Sequence, residues 1–154
     1  MSLEHDADLL SRLPLFSDLA PDQLRLLAFS AARHELNAGQ RLFRYGDPAR
    51  SGYVVVSGMI VLSAGDGGEA SVSETCGPGY LIGELTLFVE SKRRATATAT
   101  LASGALEITR HTMVRLLREY PAIGVSVHKR LAERLTETMD DLERVRHTLM
   151  AIAE

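Results

Sequence analysis

Cysteine and long apolar runs are scarce in this sequence. Cys76 is the single cysteine among 154 residues, so no disulfide can form within the chain. We interpret it as a small buried hydrophobic residue, because it stands where a strand pattern gives way to the turn Gly77-Pro78-Gly79. No segment approaches the roughly 20 consecutive apolar residues of a membrane-spanning helix, and the N-terminus lacks the pattern of a signal peptide. We therefore expect a soluble, cytoplasmic protein without membrane contact.

Positive charge is not in excess either. The chain has 17 Lys and Arg residues against 20 Asp and Glu residues, a formal net charge of −3. Nucleic-acid-binding proteins use a basic surface to follow phosphate groups. We therefore expect no nucleic-acid contact through this chain.

Catalytic and metal-binding patterns are missing from the strand-rich part of the sequence. No histidine lies between His34 and His111, which argues against a strand-borne metal site of the kind found in jelly-roll enzymes. The sequence also contains no Gly-x-Ser-x-Gly motif, and no histidine is close to Cys76. We predict that the protein is not an enzyme and has no metal or cofactor site.

The remaining patterns predict one domain over residues 7–154. Residues 7–33 have helical apolar spacing, and 36–108 are short segments rich in Val, Ile, Thr and Tyr. Residues 109–154 are again helical. We predict an α+β, mainly β fold: an antiparallel jelly-roll barrel flanked by N-terminal helices and a long C-terminal helix. Turn signals stand at Asn37-Ala38-Gly39, Tyr45-Gly46-Asp47-Pro48, Gly65-Asp66-Gly67-Gly68, Gly77-Pro78-Gly79 and Ser103-Gly104.

Individual elements can be placed within these regions. Strands are predicted at 53–56 and 59–62, and the glycine-rich segment 66–68 is typical of a hairpin tip. A short helix is predicted at 109–120. Pro121 then begins a longer helix, since proline fits the first helical position.

The long C-terminal helix has an apolar seam with alternating spacings of four and three residues, which is the heptad pattern. Two interpretations remain open: an amphipathic helix packed on its own domain, or a parallel coiled-coil homodimer. We favour the homodimer, because the helix is longer than a small barrel can cover. The seam residues are Leu131, Leu135, Thr138, Leu142, Val145, Leu149 and Ile152.

The segment Ile82-Gly83-Glu84-Leu85-Thr86-Leu87-Phe88 is the most distinctive feature of the chain, and Arg93 follows its glutamate by nine residues. The stretch 51–109 contains three basic residues, and these are consecutive: Lys92, Arg93 and Arg94. A guanidinium close to a turn of backbone N–H groups and a carboxylate can hold a phosphate and a sugar. This pattern predicts an anion-binding site.

These residues resemble the phosphate-binding cassette of the cyclic nucleotide-binding domain family, here residues 82–99. That cassette reads roughly Phe-Gly-Glu-Leu-Ala-Leu, a spacer, and Arg-x-Ala-Thr-Val-x-Ala. Gly39, Gly46 and Gly58 also match turn glycines of the family. The resemblance runs from about Leu13 to Ile152.

The resemblance implies roles for individual residues. Arg93 would pair with the cyclic phosphate, and Glu84 would accept a hydrogen bond from the ribose 2′-hydroxyl. Gly83 would allow close approach of the backbone, and the turn 85–88 would direct its free N–H groups at the phosphate. Leu85 and Leu87 would lock the turn to the barrel wall. The candidate ligand-binding residues are Ile82, Gly83, Glu84, Leu85, Thr86, Arg93, Arg94, Ala95, Thr96 and Thr138.

The sequence departs from the family pattern at Arg94, where a small residue is usual, and at Ile82, where phenylalanine is usual. We expect Arg94 to point outward. Because Arg94 also replaces the threonine that is often found in cGMP-selective members, and because Thr138 matches an adenine-contacting threonine, the resemblance favours cAMP over cGMP. Thr138 could equally be a polar residue of the seam.

The resemblance implies a cyclic nucleotide sensor whose ligand changes the arrangement of the C-terminal helix or of a dimer. Two alternatives stay open. The domain could be a nucleotide-independent dimerisation module of the same fold, or the sensor part of a catabolite-activator-type transcription regulator.

Overall fold

The computed structural model describes residues 3–64 and 72–153. Residues 72 and 73 and most positions beyond 133 are described by their backbone alone. The predicted hairpin tip at 66–68 and the side chains of the seam residues after Leu131 therefore lie outside the described residues.

In the described ranges, two helices precede a strand-rich region along the chain and two follow it. The helices are α1 (Leu3–Ser11), α2 (Pro21–Ser30), α3 (Arg110–Glu119) and α4 (Pro121–Ala153), and short 3-10 turns occupy Pro14–Phe16 and Leu85–Leu87. The strands are β1 (Ala32–Leu36), β2 (Arg41–Phe43), β3 (Pro48–Ala49), β4 (Ser51–Ser57), β5 (Ile60–Ala64), β6 (Val72–Cys76), β7 (Leu81–Ile82), β8 (Ser91–Lys92), β9 (Ala95–Ala99) and β10 (Ser103–Thr109).

The strands form two four-stranded antiparallel sheets and a two-stranded ribbon. Sheet I has the order β1-β10-β4-β7, sheet II has the order β2-β9-β5-β6, and the ribbon is β3-β8. The predicted α+β, jelly-roll-like architecture is confirmed. The described strands form separate sheets instead of a closed ring.

Sheet I has an apolar layer on each of its faces, because successive residues of a strand point to opposite sides. Val54 and Val56 of β4 face the helices, together with Leu106 and Ile108 of β10. The alternate residues of the same strands face a second cluster between the sheets. That second cluster consists of Tyr53, Val55, Ile60, Cys76, Ile82, Ala97 and Ala105.

Cys76 is fully buried in the cluster between the sheets. Burial, with a smaller contribution from the charge of Glu74, raises the pKa of the Cys76 thiol to about 11. The side chain is therefore a neutral thiol at pH 7.

The N-terminal helices end earlier than the sequence pattern predicts. The prediction extends helix to residue 33, but α2 ends at Ser30 and β1 begins at Ala32. Arg33 and His34 pair with Leu106 and Ala105 of β10, so a long-range strand pairing overrides the local helical spacing. At the other end, α1 begins at Leu3 and not at residue 7.

The C-terminal helices begin with clear local signals. Thr109 is the N-cap of α3, where its Oγ1 accepts a hydrogen bond from the Thr112 N–H at 3.1 Å. The longer α4 begins at Pro121 and has 33 residues. It contacts the domain through buried Ile123 and Val127 and through partly buried Leu131. No helix of the described ranges is long and apolar enough to cross a membrane.

Candidate anion-binding site

A tight turn joins β7 to the 3-10 turn at Leu85–Leu87, and Gly83 lies at its start. Its φ of +79° is in the left-handed region, which favours glycine. A Cβ atom at this position would lie 2.9 Å from Arg93 Nη1 and 2.9 Å from Thr86 Oγ1. Gly83 is therefore required by its backbone conformation and by the side chains that close over it.

The following 3-10 turn is tied to the neighbouring strand by Thr86. The Thr86 hydroxyl lies 2.6 Å from the Gly83 carbonyl oxygen and 2.8 Å from the Ser51 carbonyl oxygen. Leu87 is fully buried and packs in the core, whereas Leu85 is 66% exposed. The prediction that Leu85 also locks the turn is wrong, because residues two apart in a helical turn do not share a face.

The backbone N–H groups of this turn are largely used within it. The N–H groups of Thr86, Leu87 and Phe88 donate to the carbonyl groups of Gly83, Glu84 and Leu85 at 3.1–3.2 Å. For these three residues, the expectation of free N–H groups directed at a phosphate is wrong. A 3-10 turn satisfies each N–H from the third residue before it.

The Arg93 guanidinium is buried between the sheets. The residue is 7% exposed, and its Nη2 donates to the Ser51 carbonyl oxygen at 2.8 Å. The guanidinium carbon lies 4.2 Å from the centre of the Phe43 ring and 5.4 Å from that of Tyr53, which is cation–π geometry. Arg93 Nε is buried and has no hydrogen-bond partner among the described residues. Burial lowers the pKa of Arg93 from its ordinary value.

The strand register separates Arg93 from its basic neighbours. Its N–H donates to the Asp47 carbonyl at 2.8 Å, and its carbonyl accepts from the Gly46 N–H at 2.8 Å. This pairing continues the β3-β8 ribbon and turns the Arg93 side chain inward. Lys92 and Arg94, one residue to each side, are exposed.

A second polar group next to Arg93 is centred on Glu107 of β10. Its Oε2 accepts hydrogen bonds from Ser51 Oγ at 2.6 Å and from the Tyr53 hydroxyl at 3.1 Å. Its Oε1 lies 2.9 Å from His34 Nε2. Burial by itself would raise the pKa of Glu107, but the hydrogen bonds from Ser51, His34 and Tyr53 outweigh it and lower the pKa below its ordinary value. Glu107 is therefore ionised near neutral pH.

Arg110, the first residue of α3, is bonded to the first half of the cassette. Its Nε donates to the Thr86 carbonyl at 3.1 Å, and its Nη2 donates to the carbonyls of Ala49 and Val89 at 2.7 and 3.0 Å. One side chain thus joins the turn to β3 and to the start of α3. Cations that bond several backbone carbonyls fix the geometry of a loop.

Sequence reasoning missed both Glu107 and Arg110. The sequence does contain a signal for Glu107. Its carboxylate interrupts the apolar residues of Ala105–Ile108, at a position whose side chain the alternation of a strand directs toward the interior. Arg110 has no comparable signal. Its three acceptors lie 21 to 61 residues away along the chain.

The other candidate residues occupy varied environments. Ile82 is buried, and Glu84 is half-buried at the N-cap of the 3-10 turn. Ala95 is half-buried in β9, and Thr96 is buried with its Oγ1 accepting from the Tyr45 N–H at 3.0 Å. Thr138 belongs to α4, and its side chain lies outside the described residues.

The site therefore brings together Gly83, Thr86 and Arg93 around the Ser51 carbonyl, with one buried cationic donor left without a partner. Such a cation suits an anionic ligand that can accept hydrogen bonds. Within the described ranges, no group of three or more His, Cys, Asp or Glu residues could hold a metal ion.

Comparison with known sequences places these residues in context. The sequence model of the cyclic nucleotide-binding domain matches residues 33–120, which is more than half of the chain. The chain is 34% identical over 131 residues to the cyclic AMP receptor protein of Thermus thermophilus, an overlap that covers 84% of this chain and 60% of the relative. The chain thus spans less than two thirds of that relative.

Solved structures of two other proteins are similar to this chain in both sequence and fold. The N-terminal domain of a transcriptional regulator from Streptomyces coelicolor A3(2) has a TM-score of 0.80 at 32% identity, covering 88% of this chain and 95% of that one. The regulatory domain of Toxoplasma gondii PKA, solved with cAMP, has a TM-score of 0.68 at 30% identity, covering 74% of this chain and 44% of that one.

Proposed function

Because the chain belongs to the cyclic nucleotide-binding domain family, we propose that it binds a cyclic nucleotide as a regulatory ligand, with cAMP preferred over cGMP. The observation that supports this most directly is the buried Arg93 guanidinium, which has one donor atom without a partner. A nucleotide phosphate would supply both the acceptor and the opposite charge that this group lacks.

The energetics favour an anion at this position. A buried donor without a partner destabilises a folded protein by about 1–3 kcal/mol, and more when the group is charged. The stacking on Phe43 and the bond to the Ser51 carbonyl orient the guanidinium but do not neutralise it. A phosphate oxygen bound at Nε would remove the unmet hydrogen bond and neutralise the charge.

The sugar and the base would contact other parts of the cassette and of α4. Glu84, half-buried at the end of the Gly83 turn, would accept a hydrogen bond from the ribose 2′-hydroxyl. Thr138 of α4 would contact the adenine amino group, which is the basis of the preference for cAMP. Arg94 is exposed between β8 and β9, so we assign it no contact with the phosphate.

We further propose that the ligand changes the position of α4 and that α4 pairs with a second copy of the chain through its seam. Arg110 connects the cassette turn to α3, and Leu87 packs in the same apolar cluster as Met113 of α3 and Ile123 of α4. A shift of the turn would therefore move both helices, and the ligand would select between two helix arrangements. The protein would act as a cytoplasmic sensor without catalytic activity.

Calorimetric titration of ligand-stripped protein with cAMP and with cGMP tests the proposal. We expect saturable binding that is tighter for cAMP. Arg93→Ala should weaken binding by about 2–5 kcal/mol, the usual effect of leaving a buried charge unpaired. Arg118→Ala, at an exposed arginine of α3, is the matched control and should bind as the unmodified protein does. Absence of heat with either nucleotide would instead support the nucleotide-independent dimerisation module.

A further inference from the structure

We propose that Ser51 and Glu107 form a positioning pair that fixes the direction of the Arg93 guanidinium before any ligand binds. The inference rests on the proposed function of Arg93 as the phosphate-binding residue. Neither residue belongs to the cassette, and neither needs to touch the nucleotide.

Ser51 joins the two halves of the cassette through its backbone. Its carbonyl oxygen accepts a hydrogen bond from Arg93 Nη2 at 2.8 Å and lies 2.8 Å from Thr86 Oγ1. The residue is 3% exposed, so water does not compete for this oxygen. The position of one carbonyl group therefore sets both the arginine and the turn that begins at Gly83.

The Ser51 side chain is bonded to Glu107. Ser51 Oγ donates to Glu107 Oε2 at 2.6 Å, and the same carboxylate is fixed by the Tyr53 hydroxyl and by His34 Nε2. Tyr53 lies directly opposite Glu107 in the antiparallel register, and Ser51 is two residues from Tyr53 on the same face. The Glu107 carboxylate of β10 is therefore held by groups from β4 and β1, and it in turn holds the Ser51 side chain.

This arrangement restrains the Arg93 guanidinium before any ligand binds. The Phe43 ring lies 4.2 Å from the guanidinium carbon, but this contact does not hold any one Nη atom at a fixed position. The bond from Nη2 to Ser51 holds that atom and therefore restrains rotation about the Nε–Cζ bond, while Nε is buried and has no partner among the described residues. A donor fixed in advance loses less conformational freedom when it binds an anion.

Glu107 also affects Arg93 through its charge, and substitutions at the two residues separate the effects. Ser51→Ala removes the hydroxyl and keeps both the backbone carbonyl and the Glu107 charge. Glu107→Gln removes the charge and keeps nearly the same shape. Glu119→Gln makes the same chemical change at an exposed position of α3 and is the control.

The experiment measures Arg93 itself as well as binding. In ligand-free protein, NMR of the arginine side chains reports rotation about the Nε–Cζ and Cζ–Nη bonds of Arg93, and calorimetry gives the dissociation constant for cAMP. We expect faster guanidinium rotation in Ser51→Ala and in Glu107→Gln, with an affinity for cAMP about two- to tenfold weaker, the usual effect of having to immobilise one flexible side chain on binding. The double variant should be no weaker than the weaker single variant, because both act through one bond.

The outcomes separate this proposal from the proposed function. Unchanged Arg93 rotation in both variants would overturn the positioning pair, whether or not the protein binds cAMP. Tighter cAMP binding in Glu107→Gln with no change in Ser51→Ala would also overturn it, since Glu107 would then act only as a competing charge. Faster Arg93 rotation in the two variants, in a protein that binds no cyclic nucleotide, would support the positioning pair and contradict the proposed function.

Discussion

Replacement of Gly83 by alanine is the sharpest test of the site geometry, because the chain contains a matched glycine. Gly79 has a φ of +88°, close to the +79° of Gly83, and a Cβ atom there would meet nothing within 4 Å. At Gly83 the same Cβ atom would lie 2.9 Å from Arg93 Nη1 and from Thr86 Oγ1. The two substitutions therefore share the backbone strain and differ in the contact with Arg93.

The magnitudes follow from this difference. A non-glycine residue in the left-handed region destabilises the folded state by about 1–2 kcal/mol. The free energy of unfolding should therefore be lower by this amount in both variants. Gly83→Ala should lose about 1–3 kcal/mol more, the usual effect of adding a carbon atom to a packed region. If the Arg93 side chain moves away from the new Cβ atom, the additional loss in free energy of unfolding will be about 1 kcal/mol. The displaced guanidinium would then no longer point toward the phosphate as it does in the unmodified protein.

Two measurements on each variant test this reasoning. Urea denaturation gives the free energy of unfolding, and calorimetry gives the affinity for cAMP. We expect Gly79→Ala to bind like the unmodified protein and Gly83→Ala to bind more than tenfold more weakly, a loss above about 1.4 kcal/mol. Equal stability and equal affinity in the two variants would refute the close packing of Arg93 over Gly83.

Three further predictions concern residues around the site. Thr138→Ala should weaken cAMP binding by about 1 kcal/mol, as for one neutral hydrogen bond, with a smaller effect on cGMP; equal effects in titrations with both nucleotides would indicate a seam residue. Arg110→Met should lower the free energy of unfolding by about 2–4 kcal/mol, because three carbonyl groups lose a charged donor, whereas Arg118→Met on the exposed face should change it little in the same denaturation assay. Glu107 has a folded-state pKa below its ordinary value of 4.5, so its contribution to stability is present above that pH and is lost as the pH falls through the folded pKa. Denaturation curves between pH 3 and 7 should show this loss in the unmodified protein and a smaller one in Glu107→Gln; identical pH dependence would contradict it.

The sequence was sufficient to predict the parts of the site that depend on local chemistry. Gly83 and Arg93 stand in a short, recognisable pattern, and buried Arg93 lies between exposed Lys92 and exposed Arg94. Glu107 was not predicted as a site residue, because its importance comes from pairing with a strand more than 50 residues away. Local patterns do not contain such long-range register, which also explains why the helical prediction extends over Ala32 and Arg33 at the start of β1.

The proposed effect of a ligand at Arg93 on α4, a helix that begins 28 residues later, would depend on a chain of hydrogen bonds through Thr86. The Thr86 hydroxyl lies 2.8 Å from the carbonyl group that also accepts from Arg93, and the Thr86 carbonyl accepts from Arg110 at the start of α3. Because α3 ends at Glu119 and α4 begins at Pro121, one residue separates the two helices. A displacement of Thr86 must either break one of these bonds or move α3, and packed interiors favour discrete rearrangement over gradual deformation. In a variant that lacks the Arg110 bonds, a ligand should therefore still bind at Arg93 but should no longer change the position of α4.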